Sequence, residues 1–495
     1  MDISLERSFL SSFKLIGSAK KVCDVSSDIV VPDTREDILR VIMTNADYSI
    51  RSKDVESGRV VVHGELKATV VYVPESGDGL STLGTNIPFE CEFEVESADS
   101  GCAVIVDLSI ISVDTRILNP RKVMINAQVG VSQKCYCNCD FSWYTAPQEA
   151  PKNTFFKKCS SDIRLINLVT EKTFSLENDF AMQGADNASQ LIAAPVSFCV
   201  DSAETVGSKL IVKGHTDIKG VFCSGGNIET GETTVSFSQI FELPERDIVP
   251  EYTVSILPTG DFFELNDGNV SFEIHAVMQI VCSETKVIDY VEDAYVCGAE
   301  TILEQEDKTV CTAERMICQT EAVQLDHSAD FDIDKVLYMS GTVGTPKAAD
   351  GKLTVPLTVE AICASVDGQI RSVKLHGSVK FELEFGENEE IGCITAKIAS
   401  LKSNISASDI CVTATVSSQV QLMQFRSLQI ISSLTVNEPE TTAQTPSVYM
   451  CIPNENDLWC VAKRYSSDTD MIIALNALDE NDDISGRLLI VPRIK

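Results

Sequence analysis

The chain has 495 residues, 44% apolar and 23% charged, and its 73 acidic residues outnumber 40 basic ones for a formal charge of −33. That length exceeds one core and suits about three or four domains. A field of that sign repels phosphate backbones and no basic patch offsets it, so nucleic acid is excluded as a partner, while five scattered His argue against a His-rich metal site or metallohydrolase.

The N-terminus, Met1-Asp2-Ile3-Ser4-Leu5-Glu6-Arg7, lacks the basic cluster and apolar core of a secretory signal. The chain is therefore expected to stay in the compartment where it is made. Apolar runs fall far short of the roughly 20 residues that span a bilayer, so no transmembrane segment is expected. In a reducing compartment the 18 Cys read chiefly as buried thiols, with Cys199, Cys223, Cys282, Cys363 and Cys411 inside apolar strands.

Three copies of one pattern follow in order. The first runs from Val60-Val61-Val62-His63-Gly64 through Tyr72 to Ile87-Pro88-Phe89-Glu90-Cys91-Glu92-Phe93. The second begins Leu210-Ile211-Val212-Lys213-Gly214-His215, crosses a Gly225-Gly226-Asn227 turn and ends Phe237-Ser238-Gln239-Ile240-Phe241. The third runs from Leu353-Thr354-Val355 through an Asp367-Gly368 turn to Phe381-Glu382-Leu383-Glu384-Phe385. Aligned on Val60, Leu210 and Leu353, the copies lie 150 and 143 residues apart. Each reads strand, turn, strand with period-two alternation.

Upstream of each copy an Asp-led stretch (33–39, 186–192, 332–337) is expected to form one or two capped helical turns. Downstream come further alternating strands. The economical packing is a mainly β chain of three tandem β-sandwich-like units, at 1–140, 160–290 and 310–437, joined by connectors at 141–160 and 297–315.

Chemistry is sparse in these units. His63 and His215 both follow a first strand, but the third copy has Leu357 near that place, so they read as surface His at strand ends. Glu90, Glu92, Glu94 and Glu96 alternate with apolar neighbours as a solvated face, and Gly225-Gly226 lacks the Lys-Ser/Thr of a phosphate loop. Cys135, Cys137 and Cys139 share one face of a strand and are the weak metal candidates, with Cys159 the only nearby fourth. No catalytic set recurs, so the chain is read as no enzyme, with no cofactor.

After a polar linker at 438–446 the pattern changes to strand–helix–helix–strand over 447–495, a small α/β module. Asp457 to Tyr465 is apolar at helical spacing, and Ser467-Asp468-Thr469-Asp470 caps a second helix with Met471, Ile472 and Leu475 inward. Leu458-Trp459-Cys460-Val461-Ala462-Lys463-Arg464-Tyr465, Ile473-Ala474-Leu475-Asn476 and Gly486 with Leu489 and Val491-Pro492 resemble a LysM domain. The resemblance implies a glycan- or partner-binding groove, carried here by Asn456, Asp457, Leu458, Trp459, Lys463, Asn476, Ile484 and Ser485. The usual Gly-Asp-Thr/Ser turn is replaced by Glu455-Asn456-Asp457, and Ser485 stands where Pro or a small apolar residue is usual. These departures favour a protein over N-acetylglucosamine polymers, with Trp459 in the core.

Three β repeats ahead of a terminal LysM-like module are similar to the SPOCS-domain morphogenetic spore-coat proteins of endospore-forming bacteria. The resemblance rests on the Asp-led stretch, the first strand with its Gly, and the Ile87-Pro88-Phe89 strand. It implies a scaffold in the mother-cell cytoplasm at the forespore surface, joining a basement-layer morphogenetic ATPase to other spore-coat proteins, with the Cys available for late cross-linking. The alternative is a peptidoglycan-binding cell-wall or cortex protein, for which the sequence shows no export signal. A wall hydrolase would need an acid pair or a Cys-His set.

Overall fold

The computed structural model describes residues 2–437 and 446–494, apart from 78, 151, 187, 225, 226, 244–250, 267, 480 and 481. Period-two alternation produces a mainly β architecture in which one chain order recurs three times: a long strand, a meander, a long hairpin. The first unit contains β1 (Asp2–Ile3), β2 (Glu6–Val30), β3 (Ile38–Glu56), β4 (Arg59–Pro74), β5 (Ser81–Glu94), β6 (Ala103–Asn119) and β7 (Lys122–Thr145). The second has β8 (Thr154–Ala181), β9 (Gln190–Ala193), β10 (Val196–Val206), β11 (Lys209–Ser224), β12 (Asn227–Glu242), β13 (Glu251–Asn266) and β14 (Asn269–Val296). The third has β15 (Glu300–Ser328), β16 (Ile333–Val343), β17 (Lys347–Ala349), β18 (Lys352–Ser365), β19 (Ile370–Glu382), β20 (Glu389–Ser406) and β21 (Asp409–Asn437). The chain closes with β22 (Val448–Cys451), α1 (Leu458–Tyr465), α2 (Thr469–Asn476) and β23 (Leu489–Pro492).

Within each unit the meander makes one sheet (β3-β4-β5, β10-β11-β12, β16-β18-β19). The long strand joins the hairpin in the other (β2-β7-β6, β8-β14-β13, β15-β21-β20), and β2 pairs with β8 at Phe13 and Ile166, so the first two of these make one six-stranded sheet shared by two units. Inner faces of the two sheets meet in the core: Val62, Phe89 and Phe93 against Val106 and Ile125 in the first unit. Leu210, Val212 and Phe237 meet Phe174 and Met278 in the second, and Leu353, Val355 and Phe381 meet Val412 and Val416 in the third. Strand β5 shows the rule, with Ile87, Phe89, Cys91 and Phe93 buried and Glu90, Glu92 and Glu94 exposed.

The units also pack on one another. Ile42 and Met43, Ile192 and Val221, and Tyr338 and Ile362 bring all three into one buried cluster. A second three-way cluster holds Trp143, Ile163, Tyr290, Val310 and Leu428. Each pairwise boundary carries a polar pin. Gln279, 1% exposed, donates to Val106 O (2.8 Å) and accepts from Val106 N and Lys53 Nζ. Arg164 Nε meets Glu314 Oε2 at 2.8 Å between the second and third units, and Lys134 Nζ donates to Gln421 Oε1 at 3.0 Å between the first and third. Ile3 pairs with Leu434, tying the start of the chain to the last long strand.

Several expectations are corrected. None of the described residues in the three Asp-led stretches is helical; bends and turns lead into β3, β9 and β16, because seven residues of apolar pattern do not separate a helical from an extended period. The expected connectors 141–160 and 297–315 largely belong to β7, β8 and β15, strands of 24 to 29 residues. The links between long strands are 146–153 and 297–299. Cys199 and Cys411 are only half-buried, whereas Cys223, Cys282 and Cys363 are buried. Of the linker at 438–446, residues 438–445 lie outside the described residues, as does the Gly225-Gly226 pair.

Candidate functional site

In the C-terminal module β22 and β23 pair antiparallel, Met450 opposite Ile490. The Asp457 side chain caps α1 by accepting from Cys460 N (3.0 Å), and that bond holds its carboxyl below the usual range. Asp468 caps α2. Val461, Ala462, Ile472, Ile484, Leu489 and Val491 form the small core. Met471 and Leu475, expected inward, are 44% and 53% exposed, because only Ile472 of the three lies on the helix face against the sheet.

The expected groove residues separate into three groups. Asn456 Oδ1 accepts from Ile484 N (3.0 Å) and Gly486 N donates to Pro453 O (2.8 Å), so the two loops are stitched together beside exposed Ser485. Asn476 is a structural bridge: its Nδ2 donates to Ile472 O and Ile490 O, and its Oδ1 accepts from Ile490 N. Trp459 and Lys463 face the end of β14. Trp459 Nε1 donates to Asp293 Oδ2 (2.8 Å), Lys463 Nζ sits 2.6 Å from Asp293 Oδ1, and the Tyr295 ring meets the indole edge-on at 4.9 Å. Leu458 packs into the same cluster. The contact with Asp293 had no signal in the sequence, since 166 residues separate it from Trp459.

The outer face of the β22–β23 ribbon is aliphatic. Val448, Met450, Leu488 and Ile490 are 52%, 72%, 60% and 42% exposed, with Ile452 at 60% beyond the strand end. Side chains on the opposite face of the pair, such as Leu489 and Val491, fill the core, so alternation leaves these residues without an internal partner.

Where the three units meet, a cleft of ≈ 1320 Å³ is lined by Asp47, Tyr48, Asp107, Lys219, Tyr338 and Glu360, among others. Burial, reinforced by Asp261 and opposed by Lys67 and a hydrogen bond from Asn45, raises Asp47 to about 6. Burial likewise raises Glu360 to about 7, with Lys374 opposing and Asp114 reinforcing. The surface Asp47 retains faces this cleft rather than open solvent. A carboxyl raised in the folded state contributes stability below its unfolded value, near 3.8, that is lost as pH climbs through about 6. Asp47→Asn is therefore expected to stabilise the chain at pH 8 by up to about 3 kcal/mol, with no gain near pH 3.5. Urea midpoints at the two pH values check this; an equal gain at both would refute the ionisation account.

The Cys candidates do not converge. Cys135 is buried, Cys137 is joined to Cys102 in a disulfide, and Cys139 is exposed. Cys159 instead meets Glu292 Oε2 at 3.5 Å. The disulfide consumes the thiol between the other two, which removes the triad. His63 lies in mid-strand between Asp54 (3.3 Å) and Glu90 (3.6 Å), and His215 is also mid-strand, so neither is at a strand end. His215 instead joins Cys199, Asp201 and Asp217, a group scattered over two strands and missed by reading for local motifs.

A family model described as SipL, SPOCS domain matches residues 37–118, from the approach to β3 into β6. No curated protein matches the chain, and neither does a solved structure. No helix among the described residues is long and apolar enough to cross a membrane.

Proposed function

We propose that this chain is a non-enzymatic scaffold for endospore coat assembly. In this reading three SPOCS-like two-sheet units form the acidic body, and the LysM-like module at 447–495 docks it to a protein at the forespore surface, within the mother-cell cytoplasm. The SPOCS match over 37–118 supports the sporulation setting. The repeated chain order extends the same architecture to the other two units.

The observation that carries the choice of a protein ligand is the aliphatic face of Val448, Met450, Leu488 and Ile490. A sugar polymer needs hydrogen-bonding side chains and an aromatic platform. Here Trp459 is turned toward Tyr295 and Asp293, and Asn476 spends its amide on the backbone. A basement-layer morphogenetic ATPase is the partner that the family resemblance favours. Several weak contacts on one chain add as effective concentration, which suits shell assembly.

The test compares the full-length chain with Met450→Asp/Ile490→Asp as bait, against sporulating mother-cell lysate and against purified peptidoglycan. The wild type is expected to retain the coat ATPase and the variant to retain it at least about tenfold less, the equivalent of about 1.4 kcal/mol. Sedimentation of the wild type with peptidoglycan, competed by chitin oligomers, would instead support the wall- or cortex-associated reading.

A further inference from the structure

On edge strand β10, Cys199 stands directly opposite His215 of β11. Asp217, two residues along, lies on the same face as His215. Cys199 Sγ, a His215 ring nitrogen and an Asp217 carboxylate oxygen lie within 4.8 Å of one another. A register break between Val200 and Ser202 turns Asp201 toward the ring, with Oδ1 2.9 Å from Nδ1. With Nδ1–H donating to Asp201, Nε2 keeps its lone pair and faces Asp217 Oδ2 at 3.8 Å. Thr234 Oγ1 donates to Asp217 Oδ1 (2.7 Å), leaving the other carboxylate oxygen available.

We propose that Cys199, His215 and Asp217 bind a thiophilic divalent transition metal, zinc foremost, with Asp201 positioning the imidazole. The donors are one sulfur, one imidazole nitrogen and one carboxylate, a set that selects zinc or cobalt over magnesium or calcium. Bonds of roughly 2.0–2.3 Å put donors about 3.5 Å apart, so small side-chain rotations close this group on an ion. A carboxylate holding the far nitrogen of a ligating His fixes its tautomer and direction, which is the part Asp201 takes. Three protein ligands leave the fourth tetrahedral position to solvent. Binding deprotonates Cys199, releases one proton to solvent and changes no oxidation state.

Lys397 of β20 reaches across from the third unit, with Nζ 4.0 Å from Cys199 Sγ. Its ammonium opposes a second cation there, and its flexible stem lets the ion displace it. The other close donor group among the described residues, Asp99, Cys102 and Cys137, has both sulfurs joined in a disulfide and is not a comparable site.

The test is cobalt titration of the full-length chain, followed by near-ultraviolet and visible absorption. The wild type is expected to bind with a thiolate-to-cobalt charge-transfer band that zinc abolishes and millimolar magnesium or calcium does not. Cys199→Ser removes the band, and His215→Ala lowers affinity at least about tenfold. Asp201→Asn lowers affinity about 10–100-fold while keeping the band, the effect of losing a positioning partner. Lys397→Met raises affinity. Thermal melts of the metal-free variants confirm that each is folded. No cobalt bound by the wild type, or an unchanged band in Cys199→Ser, would overturn the site.

Discussion

Gly214→Ala is expected to cost about 3 kcal/mol or more of folding stability, at the upper end of overpacking substitutions. A Cβ at this position would run into both the Cys199 carbonyl oxygen and the Phe237 ring. Phe237 is the direct cross-strand partner of Gly214, and Phe89 stands in the same relation to Gly64. In both units the far end of the ring covers the glycine, an arrangement that repairs the weak packing of a strand glycine. The third unit inverts the pair: Leu357 occupies the glycine place, Gly377 faces it, and Leu325 from the other sheet covers Gly377. The inversion supplies a second expectation. Gly64→Leu alone destabilises through the Phe89 ring, and Gly64→Leu/Phe89→Gly recovers part of the loss. Urea denaturation of the full double-mutant cycle reads this directly. Additive costs would show that the two positions are not coupled, against the packing described.

Asp293→Ala is expected to release the C-terminal module from the body. The carboxylate accepts from the Trp459 indole and from Lys463, and hydrogen bonds to charged groups contribute about 1.5–3 kcal/mol each. Lys463 is 37% exposed, which lowers its share. What remains after the substitution includes the Tyr295 hydroxyl (2.8 Å) and the Cys297 thiol (3.6 Å) on Ser467 O, and the apolar contact of Phe155, Tyr295 and Cys297 with the module core. The chain has two Trp, so a Trp143→Phe background isolates Trp459 emission. The variant should show red-shifted emission and several-fold stronger acrylamide quenching, with the main melting transition of the body kept within a few degrees. Unchanged quenching would mean that packing, rather than Asp293, holds the module. Because Trp459 and Lys463 are occupied by this contact, release also separates two roles: a gain in partner capture would assign them to the partner surface, and no change would leave that surface to the β22–β23 face.

Much of this architecture was legible in the residues. Alternation such as Phe89, Cys91 and Phe93 against Glu90, Glu92 and Glu94 specifies a half-buried strand whatever surrounds it, and the spacing of Val60, Leu210 and Leu353 specifies a threefold repeat. Asp468 announces its helix through the cap itself, a local hydrogen bond. The Asp-led stretches failed as helices because their apolar residues go to separate destinations, Ile38 and Ile333 into the cores of their own units and Ile192 into the cluster shared between units, and no local pattern encodes those destinations.

Among the expected site residues, Asn456 and Ile484 do come together, while Trp459 and Lys463 turn to Asp293 and Asn476 turns inward. Residue types and periodicity thus decided strands, repeats and caps, since each depends on neighbours within a few positions. Which thiols pair, where the Trp459 indole points, how Cys199 meets His215 and Asp217, and why Asp47 resists ionisation were decided by sheet register and by packing between units. Those contacts join residues tens to hundreds of positions apart, and their energies exist only once the sheets have closed on one another.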